Sequence, residues 1–226
     1  MRVDPVKRLL DQAHGYGITL SSSQADSFRL YLEELWAWNR RMNLIGVATR
    51  DRVVTELFLD SLIPAPYLPG RGKMLDVGSG AGFPGIPLKI LFPQMETHLL
   101  EAKWKKVHFL KQVARLLKLK GIQVIQGRVE EGVTDLEVSG YGLVTARALA
   151  PLDQVLEWCE PYLAPEGMFL GFLGSAAGKE LSKARDAMKR MGLNVRREIP
   201  YILPGQERER RAVLIEKLDN SVRRNG

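Results

Sequence analysis

The spacing of hydrophobic positions divides this 226-residue chain into two parts. Up to about residue 70 the pattern is helical. In QADSFRLYLEELWAWNRRM, Phe28, Leu32, Leu35 and Trp36 recur at three- and four-residue intervals, so they share one face and are expected in a core. Ser21, Ser22 and Ser23 precede this segment and offer N-cap oxygens. A second helix is predicted over about Arg50–Leu62, starting at Thr49 or Asp51, and PAPYLPGRG (Pro64–Gly72) then breaks the pattern. From Lys73 onward, short apolar runs alternate with amphipathic stretches. KMLDV, THLLE, IQVIQG, GLVTAR and MFLGFLG read as strands. Helices fall near IPLKILF, over WKKVHFLKQVARLLKL with Gly121 as its cap, from about Leu152 to Tyr162, and from about Gly178 to Met191. The last two apolar runs, VRREIPYIL and RRAVLIEKL, are joined by the polar PGQERER, which predicts an antiparallel hairpin. Alternating strand and helix implies an α/β fold with a doubly wound sheet. The expected organisation is an N-terminal helical appendage, residues 1–70, followed by an α/β domain, residues 71–226, with a Rossmann-like sheet that ends in the hairpin.

Composition narrows the function. Hydrophobic residues make up 45% of the chain, enough to fill a core. Cys159 is the single cysteine, which excludes an intrachain disulfide and a cysteine-based zinc site, and its setting in LEWCEPYL predicts a buried helical thiol. No cluster with metal-ligand spacing is seen. The opening MRVDPVKRLLDQAHGYG carries charges instead of an apolar secretory core, and no apolar run approaches the ~20 residues of a membrane helix. A cytoplasmic protein with no membrane partner is expected. The net charge of +7 is concentrated in the middle: residues 71–136 hold 11 Lys/Arg against 6 Asp/Glu, while residues 1–70 hold 8 against 8 and residues 137–226 hold 14 against 12. Lys103 to Lys120 contains seven cations and no acid. Such an excess suits a polyanionic partner. Two patches could meet one: Lys105, Lys111, Arg115 and Lys118 beside Trp104, and Trp38, Asn39, Arg40, Arg41 and Asn43.

The candidate chemistry lies in MLDVGSGAGFPGIPL, Met74–Leu88. A strand ends at Asp76, and Gly78, Gly80 and Gly82 follow at alternate positions before a helix. Glycines there permit positive φ and close approach of backbone to a ligand, and the amides of the turn and helix start are expected to face an anionic or carboxylate-bearing one. Counted from the strand end, Gly78 and Gly80 are followed by Phe83 where a dinucleotide loop needs a third glycine. The G-x-G-x-G form after an acidic residue looks like the cofactor loop of S-adenosylmethionine (SAM) methyltransferases. Glu101, closing THLLE, is positioned to accept ribose hydroxyls of a bound adenosine. Arg147 ends GLVTAR, at the strand terminus where open α/β sheets hold ligands; it suits a carboxylate, a phosphate or a guanine edge, or a structural salt bridge. Asp76 has two readings, a bond to glycine-loop amides or a ligand amino group and a purely structural role.

Four stretches together, VGSGAGFPGIPL, GRVEE (Gly127–Glu131), ARALAPL (Ala146–Leu152) and WNRRMNLIGV, resemble the bacterial small-subunit rRNA guanine-N7 methyltransferases, also called glucose-inhibited division protein B. The resemblance runs from about Tyr31 to Lys217. It implies SAM as cofactor and one guanine of small-subunit ribosomal RNA, free or in the 30S particle, as acceptor; no obligate protein partner is evident. Gly78, Gly80 and Phe83 match the cofactor loop, Glu101 the acidic strand end, Val129 and Glu130 the pair along the adenine, and Arg147 the arginine beside the methyl donor, the candidate catalytic position. The chain departs from the family at Glu56 and Leu57, where Arg-His is usual, at Leu173, where lysine is usual, and at Arg211, where histidine is usual. The implied activity is methylation of guanine N7. The alternatives are a SAM methyltransferase with another RNA or protein acceptor, a nicotinamide-dependent dehydrogenase, which the glycine register and the terminal hairpin disfavour, and a non-catalytic SAM-retaining ribosome-binding homologue.

Overall fold

The structure, a computed structural model, describes residues 4–218. Seven strands form one sheet: β1 (Lys73–Val77), β2 (Glu96–Glu101), β3 (Ile122–Gln126), β4 (Tyr141–Arg147), β5 (Leu163–Leu173), β6 (Leu193–Ile202) and β7 (Glu209–Lys217), in the order β3-β2-β1-β4-β5-β7-β6. The first five are parallel, and β7 runs antiparallel to both β5 and β6. The predicted closing hairpin is therefore present, and the largely buried central strands are flanked by helices as a parallel sheet requires. The strand order reverses between β1 and β4, which opens a crevice at the carboxyl ends of these strands, the standard ligand position in open α/β sheets.

One face of the sheet packs on α1 (Pro5–His14), α2 (Ser22–Met42), α5 (Gly85–Leu91) and α6 (Trp104–Leu116), and the other on α7 (Leu152–Cys159) and α8 (Ala177–Met191). Helix α2 starts where the serines predicted: Ser21 Oγ accepts from Gln24 N, and the Gln24 side chain accepts from Ser21 N, a reciprocal capping box. An aromatic cluster ties the N-terminal helices to the sheet. Tyr31 stacks on Phe58 at 5.1 Å and on Phe83 at 5.6 Å, and Phe28 meets Phe58 at 5.1 Å. Each fully buried ring of this kind stabilises by about 1.5–3 kcal/mol, so this contact fixes the helices against the glycine loop that contains Phe83.

The second predicted helix is present over Arg50–Leu62 but is not uniform. α3 (Arg50–Val53) passes into a π-helical turn, Val54–Leu59, before α4 (Asp60–Leu62). Two further expectations are corrected. Helix α6 ends at Leu116, and Lys118 rather than Gly121 is the first residue beyond it in the left-handed region (φ 52°); Gly121 turns the chain into β3. Trp36 is only partly buried, with the Arg50 guanidinium 5.8 Å from its ring. Cys159 is fully buried, and burial pushes its thiol well above the usual range, consistent with a packing role. Among the described residues, no helix is long and apolar enough to cross a membrane.

Candidate functional site

The crevice holds a cleft of about 430 Å³ at the carboxyl ends of β1, β2 and β4. All seven candidate residues line it: Gly78, Gly80, Phe83, Glu101, Val129, Glu130 and Arg147. Val129 is buried and Glu130 exposed in a short turn after β3, where Glu130 pairs with Arg128 at 3.2 Å.

The glycine loop takes positive φ at Gly78 (69°), Gly80 (60°) and Gly82 (98°), as its sequence required. Its amides correct the expectation of an anion nest, because most are satisfied within the protein. Gly78 N and Ser79 N donate to Leu100 O at 2.9 and 3.0 Å, Gly80 N donates to Glu101 Oε2 at 2.8 Å, and Gly82 N donates to Ser79 O at 2.7 Å. The glycines serve close approach instead: a Cβ on Gly78 would lie 2.8 Å from Leu149 Cδ1, so Leu149 rests directly on the loop.

Glu101 is 6% exposed and accepts backbone N–H bonds at both oxygens, from Gly80 and, at 2.8 Å, from Lys103. A carboxylate has about four lone-pair sites, so two remain for a ligand. Asp76 is fully buried and is not among the residues lining the cleft. Its Oδ2 accepts from Gly85 N at 3.1 Å at the start of α5, while its Oδ1 is buried with no partner. Of its two readings, the structural one holds: Asp76 caps α5. Burial raises its pKa to about 7, outweighing the lowering by Ser79 and Gly85.

Arg147 is held firmly. Its Nη2 lies 2.8 Å from Asp60 Oδ2 and donates to Glu56 O at 2.9 Å, and its guanidinium sits 5.6 Å from the Phe172 ring. Asp60 is 1% exposed and its Oδ1 accepts from Tyr201 Oη at 2.9 Å and Arg210 Nη1 at 3.3 Å. Burial, then the Asp60 charge, pushes the Tyr201 hydroxyl well above its usual range. Arg147 Nη1, by contrast, is buried without a partner. Arg147 thus lines the cleft with its guanidinium clamped on one side, so its position is fixed before any ligand arrives. The π turn bears on this directly: it brings the Glu56 carbonyl and Asp60 to the same guanidinium, and such turns are often found at functional sites.

Sequence reasoning missed Asp60, Tyr201 and Arg210, together with Leu44 and Ile45, which wall the cleft from beyond α2, and Leu149. A carboxylate inside the apolar run LFLDSLIP was the available signal for Asp60. Of the basic residues, Lys103 and Lys106 reach the cleft, Trp104 is 57% exposed and stacks on His108 at 4.5 Å, and Lys105, Lys111, Arg115, Arg40 and Arg41 are exposed. The positions that depart from the family pattern lie off the cleft: Glu56 pairs with Arg52 at 2.6 Å, Leu57 packs on the core, Leu173 is buried, and Arg211 pairs with Glu198 and Glu209 at 2.7 and 2.8 Å.

The model of the family described as rRNA small subunit methyltransferase G matches residues 24–203. The chain belongs to that family. Proteins named ribosomal RNA small subunit methyltransferase G are 35% identical over 222 residues in Caldanaerobacter subterraneus (97% of this chain, 92% of that one) and 40% identical over 207 residues in Dehalococcoides mccartyi (91% and 88%). Among solved structures, a SAM-dependent methyltransferase from Aquifex aeolicus aligns with a TM-score of 0.59 at 16% identity, covering 78% of this chain and 97% of that one. M. jannaschii TYW2 in complex with AdoMet aligns with a TM-score of 0.59 at 14% identity, covering 76% and 80%. These two likenesses speak to the fold, a Rossmann-like α/β sheet. Family membership therefore agrees with the resemblance carried by the glycine loop, GRVEE and ARALAPL.

Proposed function

We propose that this protein transfers a methyl group from SAM to N7 of a guanine in small-subunit ribosomal RNA. The observation that carries the reading is the joining of the positive-φ loop, Glu101 and the clamped Arg147 in one cleft, in a chain of this family. The residues present fit SAM. Glu101 offers two open acceptor sites for ribose hydroxyls, Val129 an apolar surface for adenine, and the loop backbone close approach. When bound, SAM would supply an electrophilic methyl: the in-plane lone pair of guanine N7 would form the new N–CH3 bond as the S–CH3 bond breaks, with S-adenosylhomocysteine as leaving group and no proton lost. The chain therefore needs no general base. Its work is positional: Arg147, locked by Asp60 and the Glu56 carbonyl, holds a fixed positive charge at the end of β4 beside the reacting partners, and Leu149 and Phe83 exclude water.

Incubating the protein with SAM and small-subunit RNA or 30S particles from cells lacking the gene, followed by mass spectrometry of the nucleosides, is expected to yield N7-methylguanosine. Methylation at another base, or none with SAM bound, would contradict the reading. Glu101→Ala should weaken SAM binding by about 1.5–3 kcal/mol, the worth of a hydrogen bond to a charged group. Unchanged affinity by calorimetry would remove Glu101 from the ribose site.

A further inference from the structure

A second cavity of about 240 Å³ adjoins the cleft and shares Ala148 and Leu149 with it as a common wall. It lies at the carboxyl ends of β4 and β5 and is walled by Val155, Phe169, Phe172 and Leu173. Its volume is several times the ~30 Å³ that one water occupies, which leaves room for a flat bicyclic base. Glu180, in the first turn of α8, is the single ionisable residue in this wall. It is half-buried, and its carboxylate takes part in no ion pair or hydrogen bond among the described residues. Helix α8 contributes nothing to the SAM cleft, so Glu180 belongs to the second cavity alone.

We infer that this cavity is the acceptor-base pocket and that Glu180 selects guanine by accepting hydrogen bonds from its N1–H and N2–H2. The inference rests on the methyl-transfer reading of the adjoining cleft. The chemistry is specific. Guanine presents two adjacent donors on its Watson–Crick edge, which match the two oxygens of one carboxylate. Adenine presents an acceptor at N1, which a carboxylate repels. Guanine N7 lies on the opposite side of the bicycle from N1 and N2. A base gripped by Glu180 at N1 and N2 therefore leaves N7 free on the side away from the carboxylate, in a cavity that shares a wall with the cleft. Phe172 supplies an aromatic face for the base while its ring also supports the Arg147 guanidinium, so the pocket and the cleft meet at a shared element.

The test uses the full-length protein with two probes. In saturation-transfer NMR, GMP should show saturation of its base proton and AMP, at the same concentration, should not. Glu180→Gln, which replaces one acceptor by a donor, and Ala150→Phe, which fills the pocket from its rim, should both abolish the GMP signal while SAM binding by calorimetry is kept. On small-subunit RNA, Glu180→Gln should lower kcat/KM roughly ten- to a hundredfold, the range for losing one bidentate base contact. Equal GMP and AMP signals, or full turnover by Glu180→Gln, would overturn the assignment. A wild-type protein that separates GMP from AMP yet methylates no guanine N7 would instead overturn the methyl-transfer reading and leave the base pocket standing.

Discussion

At the scale of single residues, two buried carboxylates decide how the site is held. Asp60 shares one buried charge among Arg147, Arg210 and Tyr201. Removing one member of such a cluster leaves uncompensated charge, and breaking a buried ion pair from one side costs about 3–5 kcal/mol. Asp60→Ala is expected to lose stability on that order in urea denaturation and to lower the methylation rate by releasing Arg147; a stability within experimental error of wild type would mean that Asp60 does not organise the cluster. Asp76 behaves differently. Burial raises its pKa from 3.8 to about 7, so the folded state holds this proton more tightly than the unfolded chain. Its contribution to stability is complete below about pH 3.8 and is lost as pH rises to about 7. At about 1.4 kcal/mol per unit, the contribution is on the order of 4 kcal/mol at most. Asp76→Asn cannot titrate, so its stability relative to wild type should improve steadily from pH 4 to pH 7 and then level off. A constant difference across that range would contradict the raised pKa. Glu101 and Arg147 stood out in sequence because each closes a strand, and the carboxyl ends of strands in an open α/β sheet are where ligands sit. Asp60 did not, because its partners Arg147, Tyr201 and Arg210 lie far along the chain on β4, β6 and β7, the last two 141 and 150 residues away, and no local spacing records that.

At the scale of elements, the alternation of apolar runs made all seven strands and the closing hairpin legible, since the central strands β1, β2 and β4 are buried almost throughout and read as short apolar runs. The π turn was not, because its extra residue per turn leaves no distinct hydrophobic period. The end of α6 was misplaced for a related reason: Lys118 adopts the left-handed conformation that sequence rules assign to glycine. The junction from β1 to α5 shows how tightly elements constrain one another. A Cβ on Gly85 would lie 2.5 Å from Leu99 Cδ2 and 2.6 Å from Asp76 Oδ2. Gly85→Ala should therefore push α5 off β1 and β2 and cost about 1–3 kcal/mol, the range for overpacking a close-packed core. The glycine loop packs on the same helix through Ile86, so SAM affinity should fall with it. A variant of wild-type stability would show that α5 moves freely against the sheet.

At the scale of the whole molecule, the net charge of +7 and its concentration between residues 71 and 136 bear on how RNA is held outside the two cavities. Lys105, Lys111 and Arg115 are exposed on α6, and Arg40 and Arg41 are exposed at the end of α2. Among the described residues, none of Arg40, Arg41, Lys105 and Lys111 is engaged in an ion pair, so none gives up an internal contact to meet a phosphate. Helix α2 also leads, through Leu44 and Ile45, into the wall of the SAM cleft. RNA lying across Arg40 and Arg41 would thus be guided toward the reacting centre, whereas RNA across α6 would approach from the β2 side. Salt dependence separates these routes. Each phosphate contact contributes a slope of about −0.7 to −0.9 to log K against log salt. If the α2 route operates, Arg40→Ala with Arg41→Ala should reduce the slope by about 1.5 and weaken small-subunit RNA binding without altering SAM affinity. Lys105→Ala with Lys111→Ala should then leave the slope nearly unchanged. The opposite result would move the RNA path to α6, and no change in either double variant would mean that specific contacts in the base pocket, rather than the basic surface, carry the affinity.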